Sequence, residues 1–129
     1  MTTKVLIIDD DTIYQVITSK TLKKLDNKLE VFPCLNGKIG LETLLQKYTE
    51  QERFVLLLDL NMPVLDGWEF IHEFEKLNFH HNSNIDIYII SSSTDQIDIT
   101  KAQNILFIKE FLSKPVAVSK FDKILNGNS

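Results

Sequence analysis

Short, uninterrupted apolar runs alternate along the chain with longer stretches whose apolar residues recur at helical spacing. Val5-Leu6-Ile7-Ile8 is β-branched and uninterrupted and reads, like Phe54 to Leu58, as a strand buried on both faces; Leu29 to Phe32, Arg53 to Leu58, Ile85 to Ile90 and Phe111-Leu112-Ser113 read as the other strands. Between them, residues 12 to 25 carry Ile13, Val16, Ile17, Leu22 and Leu25 near helical spacing, and Gly37 to Lys47 carries Ile39, Leu41, Leu44 and Leu45. Trp68, Phe70, Ile71, Phe74 and Leu77 mark a third helix, residues 95 to 108 a weaker fourth, and residues 117 to 125 a last one. Residues 78 to 84 are predicted as a polar loop, and Pro33 as the end of the second strand. Strict β-α alternation predicts an α/β fold, a doubly wound five-stranded parallel sheet with helices on both faces.

In such a sheet ligands bind beyond the carboxyl ends of the strands. Asp9, Asp10 and Asp11 follow the first strand, Asp59 and Asn61 the third, Ser91, Ser92 and Ser93 the fourth, and Lys114 and Pro115 the fifth. Asp59 is the clearest of these, because Phe54-Val55-Leu56-Leu57-Leu58 delivers it to the edge and Leu60-Asn61-Met62-Pro63 turns away at once. Clustered carboxylates repel one another and raise each other's pKa unless a cation neutralises them. An all-oxygen set suits Mg²⁺ or Mn²⁺, and a lysine beside it supplies a second cation for a phosphoryl group. A central carboxylate can then attack phosphorus and form an acyl phosphate.

Composition narrows the partners. The 129 residues suffice for one domain, and 43% hydrophobic with 25% charged residues is ordinary for a globular protein. A net charge of −4 provides no basic field for nucleic acid. One cysteine, Cys34, excludes an internal disulfide, and the apolar stretch after Lys4 is too short for a signal-peptide core or a membrane span. The expectation is a cytoplasmic protein with no membrane insertion and no direct nucleic-acid binding.

Four blocks in order, Ile7-Ile8-Asp9-Asp10-Asp11, Leu58-Asp59-Leu60-Asn61-Met62-Pro63-Val64-Leu65-Asp66-Gly67, Ile90-Ser91-Ser92 and Ser113-Lys114-Pro115, resemble the receiver domain of two-component response regulators. The steps from Asp10 to Asp59, Ser91 and Lys114 are 49, 32 and 23 residues, and the resemblance spans nearly the whole chain. It implies a flavodoxin-like sheet of strand order 2-1-3-4-5 and a stand-alone receiver over residues 1–129, like the chemotaxis regulators. Only Asn126 to Ser129 trail the last predicted helix, so no output domain is expected and the signal would leave by contact with an unknown downstream protein. The implied phosphoryl donor is a sensor histidine kinase or a histidine phosphotransfer protein. The chain would be no enzyme beyond its own phosphorylation and dephosphorylation.

The same resemblance implies a role for each site residue. Asp59 is the implied phosphoacceptor. Asp10 and Asp59 would ligate Mg²⁺ directly, Asn61 through its backbone carbonyl, and Asp9 through water. Lys114 would pair with Asp59 and then with its phosphoryl oxygens, across a cis Lys114-Pro115 bond. Ser91 matches the switch hydroxyl and Phe111 the switch aromatic. Two departures stand out: Ser92 where the family often has Ala, and Asn104 to Glu110 without the family's frequent Gly before strand five.

The remaining polar residues have simpler readings. Asp11 is expected at a helix N-terminus, and Ser93, Thr94 or Asp95 as the cap of the fourth helix. Asp66-Gly67 reads as a turn, His80 and His81 as exposed loop residues, Cys34 as a small buried residue, and Trp68, Phe70 and Phe74 as packing. Asp9-Asp10-Asp11-Thr12 also offers the Asp-x-Asp of a haloacid dehalogenase-type phosphatase, but serines stand after Ile90 where that family needs further acids. A receiver-like interaction module that is not phosphorylated is the other alternative. A flavodoxin-like flavin carrier lacks its phosphate loop after strand one.

Overall fold

A computed structural model describes residues 2–127. Its strands are β1 (Thr3–Ile8), β2 (Glu30–Cys34), β3 (Arg53–Leu58), β4 (Ile85–Ser91) and β5 (Ile108–Ser113). Its helices are α1 (Thr12–Leu25), α2 (Gly37–Lys47), α3 (Gly67–Lys76), α4 (Gln96–Gln103) and α5 (Val118–Leu125), with a 3-10 turn at Phe79–His81. All strand pairings are parallel and the order is β2-β1-β3-β4-β5, as the alternating pattern and the family resemblance predict.

Strand alternation splits the apolar runs between two cores. Leu6, Ile8, Leu56, Leu58, Ile87 and Ile89 face Leu44 of α2, Phe70 and Phe74 of α3 and Ala102 of α4. Val5, Ile7, Val55, Leu57, Tyr88 and Ile90 face Leu22 of α1 and Phe121 and Ile124 of α5. Continuous apolar sequence in the central strands follows from this two-sided burial. At the amino-terminal edge of the sheet, Arg53 ion-pairs with Asp86 and donates to the Ile124 and Leu125 carbonyls, closing the last turn of α5.

Several predicted elements differ in detail. Pro33 lies inside β2 rather than after it, which an edge strand tolerates because one side of its backbone needs no partner. Helix α4 stops at Gln103, and β5 begins at Ile108, within the stretch predicted as helix and three residues ahead of Phe111. The polar loop 78 to 84 contains the 3-10 turn, with Phe79 buried and stacked on Phe74. His80 is half-buried beside Phe107 rather than exposed; His81 is exposed as expected.

The largest difference is the orientation of α1. Ile13, Val16 and Ile17 are 71%, 54% and 59% exposed, while Gln15, Thr18 and Leu22 are buried. The physical reason lies in Gln15. Its Nε2 donates to the carbonyls of Ile7, Asp9 and Cys34 at 2.6, 3.0 and 3.2 Å, satisfying backbone groups where β1 and β2 end. Cys34 O also accepts from Asp9 N–H, but a buried carbonyl left without a donor costs about 1–3 kcal/mol, so the Gln15 amide turns the polar face of α1 inward there.

Candidate functional site

The carboxyl edge of the sheet collects the candidate residues because β1, β3, β4 and β5 end there side by side. The backbone ladder continues just past them: Asp59 N–H donates to Ile8 O at 2.9 Å, Asp9 N–H to Cys34 O at 2.9 Å and Lys114 N–H to Ser91 O at 3.0 Å. These bonds hold the acids and the lysine at fixed heights. Asp9, Asp59 and Ser91 are buried, whereas Asp10 and Asn61 are exposed. Phe111 is half-buried against the larger core. The Lys114–Pro115 bond is cis.

Carboxylate oxygens of Asp9, Asp10 and Asp59 lie within 4.8 Å of one another. Lys114 Nζ is 2.7 Å from Asp9 Oδ2 and 4.0 Å from Asp59 Oδ2, so it pairs with Asp59 as expected and more closely with Asp9. Burial, and then the charge of Asp9, push the Asp59 carboxyl up to about 6, against the opposing pull of Lys114 and of the Asn61 backbone N–H. The donor set is all oxygen and electrostatically short of positive charge, which fits a hard divalent cation.

Asp11 is no part of this cluster. It caps α1, its Oδ1 accepting from the Ile13 and Tyr14 N–H groups at 3.0 Å. Asp95 caps α4 in the same way, through Ile97 N–H. Asp66-Gly67 is more than a turn. Asp66 and Glu69 form a capping box at the start of α3. A Cβ on Gly67 would sit 2.6 Å from the Asp59 carbonyl oxygen and 2.7 Å from Leu60 Cα. Val64 and Leu65, with φ of 50° and 72°, carry the loop into that close approach in left-handed conformations that β-branched Val adopts only under constraint.

Three features escaped sequence reasoning. The Tyr14 ring lies under Lys114, with Nζ 4.3 Å from the ring centroid, and its hydroxyl is buried beside the Thr18 side chain. Its place in the first turn of α1, four residues after Asp10, was the only available signal. Gln15 had none, because an inward glutamine breaks the apolar pattern. The third is a polar chain from the site into the helix layer. Ser93 N–H donates to Ser91 Oγ at 3.1 Å, Ser93 Oγ to Asp98 Oδ2 at 3.1 Å, and Trp68 Nε1 to Asp98 Oδ1 at 3.0 Å. Lys101 Nζ covers the Trp68 ring at 4.4 Å. Trp68 therefore links α3 to α4 as well as packing.

Known proteins share this fold. A two-component response regulator from Cytophaga hutchinsonii is 23% identical, with 98% of this chain and 96% of that one covered and a TM-score of 0.83. A response regulator receiver protein from Dyadobacter fermentans is 24% identical over 97% and 96%, with a TM-score of 0.81. The Vibrio cholerae chemotaxis protein CheY4 is 22% identical over the full length of both chains, with a TM-score of 0.79. At these identities the structures establish a shared fold. Residues 5–126 match the response regulator receiver domain family as a sequence family. With the strand order, the acidic edge and this match over nearly its whole length, the chain belongs to the response regulator receiver domains of two-component signalling.

Proposed function

We propose that this receiver takes a phosphoryl group on Asp59 from the phosphohistidine of a sensor histidine kinase or a histidine phosphotransfer protein. The observation that carries the reading is the position of Asp59: buried at the sheet edge, in one carboxylate cluster with Asp9 and Asp10, and 4.0 Å from Lys114. A carboxyl titrating at about 6 is mostly ionised at neutral pH, so it is available as a nucleophile. One Asp59 oxygen attacks phosphorus, the phosphorus–nitrogen bond breaks, and the imidazole leaves with the electron pair. Water later attacks the same phosphorus and releases inorganic phosphate, returning the carboxylate.

Asp10 and Asp59 would hold Mg²⁺ (or Mn²⁺) directly, Asn61 through its carbonyl and Asp9 through water. When bound, the ion supplies the positive charge that the three carboxylates and the phosphoryl oxygens require. Lys114 supplies the second cation and orients the phosphoryl oxygens. Ser91 acts as the switch hydroxyl. Turning its Oγ toward the phosphoryl group gives up the bond from Ser93 N–H and pulls on the Ser93–Asp98–Trp68 chain, which shifts α4 and the Phe111 side of β5 between two arrangements.

The test uses acetyl phosphate and Mg²⁺ with intact-mass detection and peptide mapping. Wild type is expected to gain one phosphoryl group, mapped to Asp59, and Asp59→Asn none. An unmodified wild type, or a modification that persists in Asp59→Asn, overturns the proposal.

The outward apolar stripe of α1 begins directly after the acids, which supports reading it as the surface that a donor protein touches. Ile17→Glu puts a charge into that contact. Transfer from a phosphohistidine partner is expected to fall at least about tenfold, the scale of losing one interface anchor. Modification by acetyl phosphate, which needs no docking surface, should stay at the wild-type rate. Equal loss in both assays would mean that α1 shapes the site rather than the encounter.

A further inference from the structure

We infer that Tyr14 is a positioning residue for Lys114, its ring keeping the ammonium at the site when Asp9 and Asp59 turn to a cation and a phosphoryl group. The inference rests on the phosphoacceptor reading of Asp59 and deepens it. Among the described residues, Lys114 Nζ has two carboxylate partners and one ring: Asp9 Oδ2 at 2.7 Å, Asp59 Oδ2 at 4.0 Å and the Tyr14 ring centroid at 4.3 Å. The first two belong to the carboxylate cluster that suits a divalent cation. The short ion pair with Asp9 therefore competes with that cation, while the aromatic face does not.

A lysine released from Asp9 has a long, flexible stem and water beside it; its side chain is already 19% exposed. The ring gives the ammonium an attraction that depends little on direction and survives the change of carboxylate partner. The Tyr14 hydroxyl is buried beside the Thr18 side chain, and Tyr14→Phe removes that contact while keeping the ring. The ring is not free to swing far, since Tyr14 N–H is held by Asp11 Oδ1 in the first turn of α1. Simple packing against the smaller core would be served equally by an aliphatic side chain of similar size. The two roles are therefore separable by chemistry.

The experiment compares the whole chain with Tyr14→Leu, Tyr14→Met and Tyr14→Phe. Nuclear magnetic resonance of Lys114 should show side-chain protons shifted upfield by the ring in wild type and Tyr14→Phe, and at ordinary positions in the two aliphatic variants. Using both Leu and Met guards against one that fails to fold. Beryllofluoride, an analogue of the phosphoryl group, is titrated at saturating Mg²⁺. Its affinity is expected to fall about five- to twentyfold in Tyr14→Leu and Tyr14→Met, the span of a partly desolvated cation–π contact, and to be restored by Tyr14→Phe. Mg²⁺ affinity, measured alone, should change much less.

Aliphatic variants that bind beryllofluoride like wild type overturn the inference. So does a Tyr14→Phe as weak as Tyr14→Leu, or a parallel fall in Mg²⁺ affinity, which would mean that Tyr14 shapes the carboxylates instead. Wild type failing to bind beryllofluoride would refute the phosphoacceptor reading itself, and this inference with it.

Discussion

Asp59→Asn is expected to stabilise the cation-free protein by about 2 kcal/mol at neutral pH while removing its phosphorylation. The carboxyl titrates at about 6 in the folded chain against an ordinary 3.8, because burial and the neighbouring Asp9 disfavour its charged form. Folding therefore favours the protonated acid. Below about pH 4 Asp59 is protonated in folded and unfolded chains alike and imposes no penalty. Between about pH 4 and 6 the unfolded chain loses its proton first and stability falls as pH rises; above about 6 the full penalty is present. Each pKa unit corresponds to about 1.4 kcal/mol, giving about 3 kcal/mol here, which solvent at the open Asp10 side reduces to about 2. Asparagine keeps the shape and has no charge to bury. Thermal unfolding should show a rise in Tm of roughly 5–10 °C at pH 7 that shrinks toward pH 4. Saturating Mg²⁺ should narrow the gap by stabilising wild type more. A variant less stable than wild type at pH 7 would mean that Lys114 stabilises the charged Asp59 more than burial and Asp9 penalise it.

Gly67→Ala should act in the opposite direction and reach both fold and site. The added methyl would meet the Asp59 carbonyl oxygen at 2.6 Å and Leu60 Cα at 2.7 Å, both backbone atoms that no rotamer change can move. Gly67 N–H also donates to Leu60 O at 2.9 Å, so α3 cannot retreat without losing that bond. Overpacking of this kind costs typically about 1–3 kcal/mol, and the rigid opponents place the expected loss at about 3. Relief requires moving the chain at Asp59 and Leu60, so Mg²⁺ affinity should fall with stability. Denaturant unfolding and a Mg²⁺ titration on the same preparation check this. A stable Gly67→Ala with unaltered Mg²⁺ affinity would show that the α3 start is softer than its contacts indicate.

The legible parts of the chain were those where one physical demand dominated. Central strands buried on both faces must be apolar throughout, so β1, β3 and β4 stood out, and the polar residues that ended them marked the sheet edge. Alternation and the family motifs then gave the sheet order. Legibility failed where two demands competed. On α1 the need to satisfy the Ile7, Asp9 and Cys34 carbonyls turned Gln15 inward and left Ile13, Val16 and Ile17 outside, opposite to a reading by hydrophobicity. Around Ile108 an apolar stretch served helix and strand templates equally, and pairing with β4 decided for the strand. The Tyr14–Lys114 contact joins residues a hundred positions apart that share no motif. Asp98 likewise gave no sign that it would face Trp68 across two helices.

That last contact gives the protein an optical property. The chain has one tryptophan, and its indole is hydrogen-bonded to one residue of α4 and covered by the ammonium of another. Both partners sit on the helix that Ser91 reaches through Ser93. Any separation of α4 from α3 replaces a carboxylate and a cation with water around a single fluorophore. The receiver thus carries a native emission signal whose source lies at the joint between the carboxyl edge of its sheet and its helix layer, readable without a label.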